Sequence, residues 1–120
     1  MPAFITHNID FATLSLVPGE LIQSYGNKTN GQTFVAPNQA CIFTAECVVT
    51  ATQGGCIIYR VRNGENISCA GIPFTNGTGN DQVIANFMAL PNEEFSVSVS
   101  KSGLVQNLKA YTIANNFRIY

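Results

Sequence analysis

Apolar and polar residues alternate with a period of two along several short stretches of this chain. Over residues 41–50, Cys41, Phe43, Ala45, Cys47 and Val49 fall on one side, with Thr44, Glu46 and Thr50 on the other. In EFSVSVS, Phe95, Val97 and Val99 point one way while Ser96, Ser98 and Ser100 point the other. The C-terminal run sets Tyr111, Ile113, Phe117 and Ile119 on one side, with Asn115 among them, against Thr112, Asn116, Arg118 and Tyr120. A helix repeats its faces about every 3.6 residues, so a period of two predicts strands, each with a core face and a wetter face.

Turn residues fall between these runs. Asn63-Gly64, inside IIYRVRNGENISCAG, is the preferred centre of a type I′ turn, because both positions need positive φ. A two-residue loop there fixes the register: Arg62 faces Glu65, Val61 faces Asn66 and Arg60 faces Ile67. The Arg62–Glu65 pair adds a few tenths of a kcal/mol at most and serves register more than stability. Pro18-Gly19 reads as a turn between LSLV and ELIQSY, Pro37-Asn38 separates QTFVA from ACIFTAECVV, Pro91-Asn92 ends QVIANFMAL and Ser102-Gly103 ends the strand after it. GIPFTNGTGND reads as a surface loop. The predicted strands are 11–17, 20–25, 32–36, 40–50, 55–62, 65–70, 82–90, 94–101 and 109–119, nine if 20–25 is separate. Turn signals at this spacing predict an all-β protein, an antiparallel two-sheet sandwich. About eight strands with mixed short and long connections fit a jelly roll. The immunoglobulin alternative lacks a Trp and a widely spaced Cys pair.

With 120 residues and no internal repeat or linker, the chain reads as a single jelly-roll-like domain over residues 1–120. Apolar residues make up 46%, enough for a packed core, and charged residues only 11%, less than half the usual share of about 25%. Asn, Gly, Ser and Thr replace them, a surface suited to extracellular or particle-bound proteins and to self-association. The net charge is −1 and the six basic residues are scattered, with Arg60 and Arg62 the only close pair. Nucleic-acid binding, which needs a basic face, is disfavoured, and so is polybasic membrane attachment. No Lys or Arg precedes the first apolar residues and Asp10 lies among them, so the N-terminus does not read as a signal peptide. No apolar run approaches the length of a membrane span, so membrane insertion is not expected.

Four cysteines allow three pairings. Cys41 and Cys47 share one strand, roughly 20 Å apart, too far to bond. Cys47 and Cys56 flank ATQGG and face each other if a hairpin forms there. Free buried thiols are the favoured state, and without a CxxC motif no zinc or redox site is signalled.

The stretch GQTFVAPNQACIFTAECVVTATQGGCIIYRVRNGENIS, the Leu-Pro turn into LPNEEFSVSVS and the aromatic closing strand NNFRIY resemble jelly-roll head domains of tailed-bacteriophage fibre and tail-tip proteins, similar to the C1q/TNF-like fold. The resemblance covers residues 31–120. It departs from that pattern at Asn92-Glu93, where Gly-Asp is common, and in the number of cysteines. It implies a homotrimer that binds a surface ligand with loops at one end.

Catalytic chemistry finds little footing. His7 is the only histidine and no GxSxG elbow is present. Glu93 and Glu94 are adjacent and diverge in a strand, and an enzyme would require a deep pocket around Glu46, Glu94 or His7. No phosphate loop occurs. Asp81, after NGTGN, reads as loop rather than calcium ligand. No metal or other cofactor is expected. Aromatic and Arg residues carry most contact energy in protein interfaces, so the candidate ligand or interface residues are Tyr59, Arg60, Arg62, Asn76, Asp81 and Tyr120. The expectation is a non-enzymatic virion structural protein, a phage tail-fibre or tail-tip head or a capsid decoration protein, serving host attachment or particle reinforcement. Its partners would be further copies of itself, other virion proteins and a host surface glycan or protein. The alternative is a carbohydrate-binding or C1q-like recognition module with ligands among residues 26–31 and 73–81.

Overall fold

The computed structural model describes residues 16–50, 54–72, 81–100 and 103–115. Eight strands lie among them: β1 (Leu16–Lys28), β2 (Thr33–Val35), β3 (Cys41–Val49), β4 (Cys56–Arg62), β5 (Glu65–Ile72), β6 (Asp81–Ala89), β7 (Glu94–Val99) and β8 (Gly103–Asn115). They form two four-stranded antiparallel sheets, ordered β1-β8-β3-β6 and β2-β7-β4-β5. Only β4 and β5 are consecutive strands of one sheet; every other connection passes to the opposite sheet. This is the two-sheet jelly-roll sandwich expected from the sequence.

The period of two places the core. Cys41, Phe43, Ala45, Cys47 and Val49 of β3 are buried, as are Phe95, Val97 and Val99 of β7. Facing them are Phe34, Ile58 and Ile72 from one sheet and Ala85, Phe87, Val105, Leu108 and Ala110 from the other. Five rings form a continuous contact at one end. Phe43 lies 5.3 Å from Tyr25, 5.2 Å from Phe34, 5.3 Å from Phe87 and 5.6 Å from Phe95, in edge and stacked geometries that favour aromatic pairs. Tyr25 also donates its hydroxyl to Val35 O at 2.8 Å, tying edge strand β1 to edge strand β2 of the other sheet. Asn63 (φ 53°) and Gly64 (φ 78°) make the predicted turn with the predicted register, Arg62 opposite Glu65 and Val61 opposite Asn66.

Four expectations are corrected. Pro18-Gly19 is not a turn: β1 runs through it. Edge strands tolerate a proline, and the register shifts after Pro18 instead of reversing. Glu20 N–H donates to Thr112 Oγ1 at 2.8 Å, and Gly19 lies so close to Thr112 that a Cβ there would clash with its hydroxyl. The last strand begins at Gly103 rather than near 109, because a bulge hides its period. Asn107 has φ 54°, the register against β3 shifts there, and the buried residues Val105 and Leu108 are three apart. The same shift turns Tyr111 outward: Ala110 is buried, while Tyr111 pairs with Leu21 and Ile42 on the outer face. Phe117 and Ile119 lie outside the described residues. Finally, Cys47 and Cys56 do not face across a hairpin, since β3 and β4 belong to different sheets.

Candidate functional site

On β4 the inward positions continue past the core as Arg60 and Arg62. Arg60 stands beside Phe95 in the register, with its guanidinium carbon 5.5 Å from the centre of that ring. Its Nη2 donates to Met88 O at 2.7 Å, across to the other sheet, and its Nη1 lies 3.5 Å from Glu93 Oε1. Arg62 Nε donates to Glu93 Oε2 at 3.0 Å. The Glu93 side chain is only 6% exposed and also accepts Leu90 N–H at 3.0 Å. Both arginines are therefore occupied in closing one end of the sandwich, and Arg62 pairs with Glu93 rather than with Glu65.

Tyr59 points the other way, onto the outer face of the β2-β7-β4-β5 sheet. Residues paired across strands share a face, so the register defines a surface. One row is Thr33, Ser96, Tyr59 and Ser68; the next contains Ser98, Ile57 and Gly71. Neither row carries a charge. Tyr59 is half-buried among these small side chains, and its hydroxyl has no hydrogen bond among the described residues. A bulge between Ile58 and Tyr59 admits Cys69 as an extra residue and opens a shallow concavity of about 210 Å³ bordered by Ile57, Ser68, Cys69, Ala70 and Gly71. Burial pushes the Cys69 thiol up, against the pull of nearby Arg60.

The outer face of the β1-β8-β3-β6 sheet carries a second concavity, of about 290 Å³, bordered by Thr44, Glu46, Ile84, Asn107, Lys109 and Tyr111. The Asn107 bulge shapes it. Asn107 N–H donates to Asn27 Oδ1 at 3.2 Å, which anchors the bulge to β1. Gln106 Nε2 donates to Glu46 Oε1 at 3.4 Å, while Lys109 has no carboxylate within ion-pair range among the described residues. The apolar row Leu21, Tyr111, Ile42 and Met88 runs beside it across all four strands. Sequence reasoning named Glu46 and Tyr111 separately but not Asn107 or Lys109, because the bulge that gathers them is not written in the alternation.

The predicted site residues that lie among the described residues do not converge. Tyr59 is on one outer face; Arg60 and Arg62 are at the end of the core. Asp81 opens β6 opposite Val49 and is half-buried. Asn76 and Tyr120, like His7, lie outside the described residues. Glu46 and Glu94 are on opposite outer faces, so no pocket joins them. In the predicted ligand loop at 26–31, the amides hold backbone: Asn27 binds Asn107, and Asn30 Oδ1 accepts Val99 N–H at 3.0 Å. Among the described residues no group of three or more His, Cys, Asp or Glu is placed to hold a metal ion, and no helix is long and apolar enough to cross a membrane. The chain matches no family model, no curated protein and no solved structure.

Proposed function

We propose that this chain is a non-enzymatic structural protein of a virus particle, a homotrimeric jelly-roll head of a phage tail fibre or tail tip or a capsid decoration protein, which attaches the particle or reinforces it. The observation that carries this reading is the pair of uncharged rows through Tyr59 and Ile57 on the outer face of the β2-β7-β4-β5 sheet. Rows of Ser, Thr and Gly flank a half-buried tyrosine whose hydroxyl has no hydrogen bond among the described residues, a surface made for contact: it costs little to dehydrate, and its aromatic centre supplies the contact energy. Jelly rolls recur in capsid and lectin domains, which agrees with this assignment.

Light scattering coupled to size-exclusion chromatography tests it. The native chain elutes as a trimer that survives dilution, and Tyr59→Arg elutes as a monomer with an unchanged circular dichroism spectrum. A native monomer overturns the reading. A second reading, a carbohydrate-recognition module, is favoured by the concavity at Tyr111, where an aromatic ring, a carboxylate, an amide and an ammonium group stand together as sugar hydroxyls require. Glycan-array binding that Lys109→Ala and Tyr111→Ala abolish would select it.

A further inference from the structure

Two of the cysteines meet in the core. Cys47 stands on the inward face of β3, and Cys56 opens β4 on the inward face of the opposite sheet; both are fully buried and free. The Cys56 thiol donates to Leu104 O at 3.5 Å. Leu104 is the β8 residue paired with Val48, immediately beside Cys47. Cys56 thus reaches from its own sheet to the strand pair that carries Cys47. The two thiols are close enough there to shift each other's ionisation. The Cys56 thiol, with burial adding to it, pushes Cys47 well above the usual thiol range, and Cys47 in turn holds Cys56 below it. One sulfur keeps its proton while its neighbour ionises more easily, a poise that suits sequential oxidation.

We infer that Cys47 and Cys56 are a latent disulfide that joins the two sheets of the sandwich when a peroxide oxidises it. The Cys56 thiolate attacks one oxygen of hydrogen peroxide. The O–O bond breaks, the departing hydroxide takes up the proton Cys56 gave up, and water leaves a sulfenic acid on Cys56. The Cys47 sulfur then attacks the Cys56 sulfur, the S–O bond breaks, and the hydroxyl leaves with the Cys47 proton as a second water. Two thiols lose two electrons and two protons, and one peroxide becomes two waters. The new S–S bond closes to about 2.05 Å. Hydrogen peroxide, little larger than water, reaches the pair through local opening of the sandwich. Cys69, half-buried on the β5 bulge and bordering a concavity, is the more accessible thiol and supplies the competing outcome.

The inference is independent of the proposed function. The folded protein is treated with hydrogen peroxide, quenched, unfolded in an alkylating reagent and mapped by peptide mass spectrometry. The expected product is a Cys47–Cys56 cross-link lighter than the reduced chain by two hydrogens, with Cys41 alkylated and the unfolding midpoint raised until a dithiol reductant is added. The cross-link persists in Cys69→Ser and disappears in Cys47→Ser and Cys47→Ala. Recovery of Cys47 and Cys56 as alkylated thiols while Cys69 is oxidised would overturn the inference, as would a cross-link from either of them to Cys69. Mapping the native chain decides the matter even if the Cys47 variants fail to fold.

Discussion

Arg62 Nε lies 3.0 Å from Glu93 Oε2, on a carboxylate that is 6% exposed. Glu65 is the cross-strand neighbour of Arg62, yet the shielded Glu93 holds it, because that carboxylate also binds Arg60 and the Leu90 N–H. Removing the negative charge leaves the Arg60 guanidinium, 19% exposed, without its anion. Glu93→Gln should therefore cost about 1–3 kcal/mol, less than a fully buried pair because Arg62 is open to water. Glu65→Gln should cost less than about 0.5 kcal/mol. Urea unfolding of the two variants gives the comparison, and equal losses would mean that the network does not close the end of the sandwich.

Two glycines with positive φ predict very different outcomes. At Gly64 (φ 78°) a Cβ would meet nothing within 4 Å. Gly64→Ala therefore carries only the conformational cost of a left-handed alanine, about 1 kcal/mol. At Gly71 (φ 131°) a Cβ would strike Cys56 O and approach Ile57 Cα at 2.8 Å. Both are backbone atoms of the neighbouring strand and cannot swing aside. Gly71→Ala should cost more than about 3 kcal/mol or prevent folding. Thermal unfolding distinguishes a small shift at Gly64 from loss of the cooperative transition at Gly71.

The aromatic end of the core gives a third test. Phe43 is fully buried and touches four other rings. Truncation to alanine removes the ring and leaves a cavity between the sheets, at a cost of about 3–5 kcal/mol. Phe43→Leu keeps most of the volume and should cost about half as much. Denaturant midpoints at equal m-values measure both, and a loss below 1 kcal/mol for alanine would show that the end of the core collapses around the vacancy.

These residues also show what could be read before the structure. Faces of β3 and β7 follow directly from alternation, and Asn63-Gly64 specifies both its turn and its register, because a period of two and a positive φ are local properties. The Asn107 bulge breaks the period by a single residue. With it went the true start of β8, the outward turn of Tyr111 and the concavity that groups Tyr111 with Glu46 and Lys109. Pro18-Gly19 was legible as a disturbance, but whether it turns the chain or bulges it depends on the neighbouring strand, where Thr112 receives the Glu20 N–H. Arg60 and Arg62 stood out as the close basic pair. Their role followed from Glu93, which is some 30 residues away along the chain and comes to them only through the sheet crossing between β6 and β7.

Tyr25 yields a dependence on pH. Burial, followed by the nearby Cys41 thiol, raises its hydroxyl above the ordinary tyrosine value of 10.0. The protonated hydroxyl is also the form that donates to Val35 O. Above about pH 10 the unfolded chain releases this proton while the folded chain keeps it. The folded state then binds more protons, so stability falls as pH rises from the unfolded value through the raised folded one, and is unaffected by this group at neutral pH. Tyr25→Phe removes the hydrogen bond, for a loss of about 1 kcal/mol at pH 7, and removes this group's share of the alkaline decline. Plotted against pH, the stability curves of the native chain and the variant should run parallel near neutrality and converge above pH 10. Curves that stay parallel throughout would show that the Tyr25 hydroxyl ionises alike in the folded and unfolded chains.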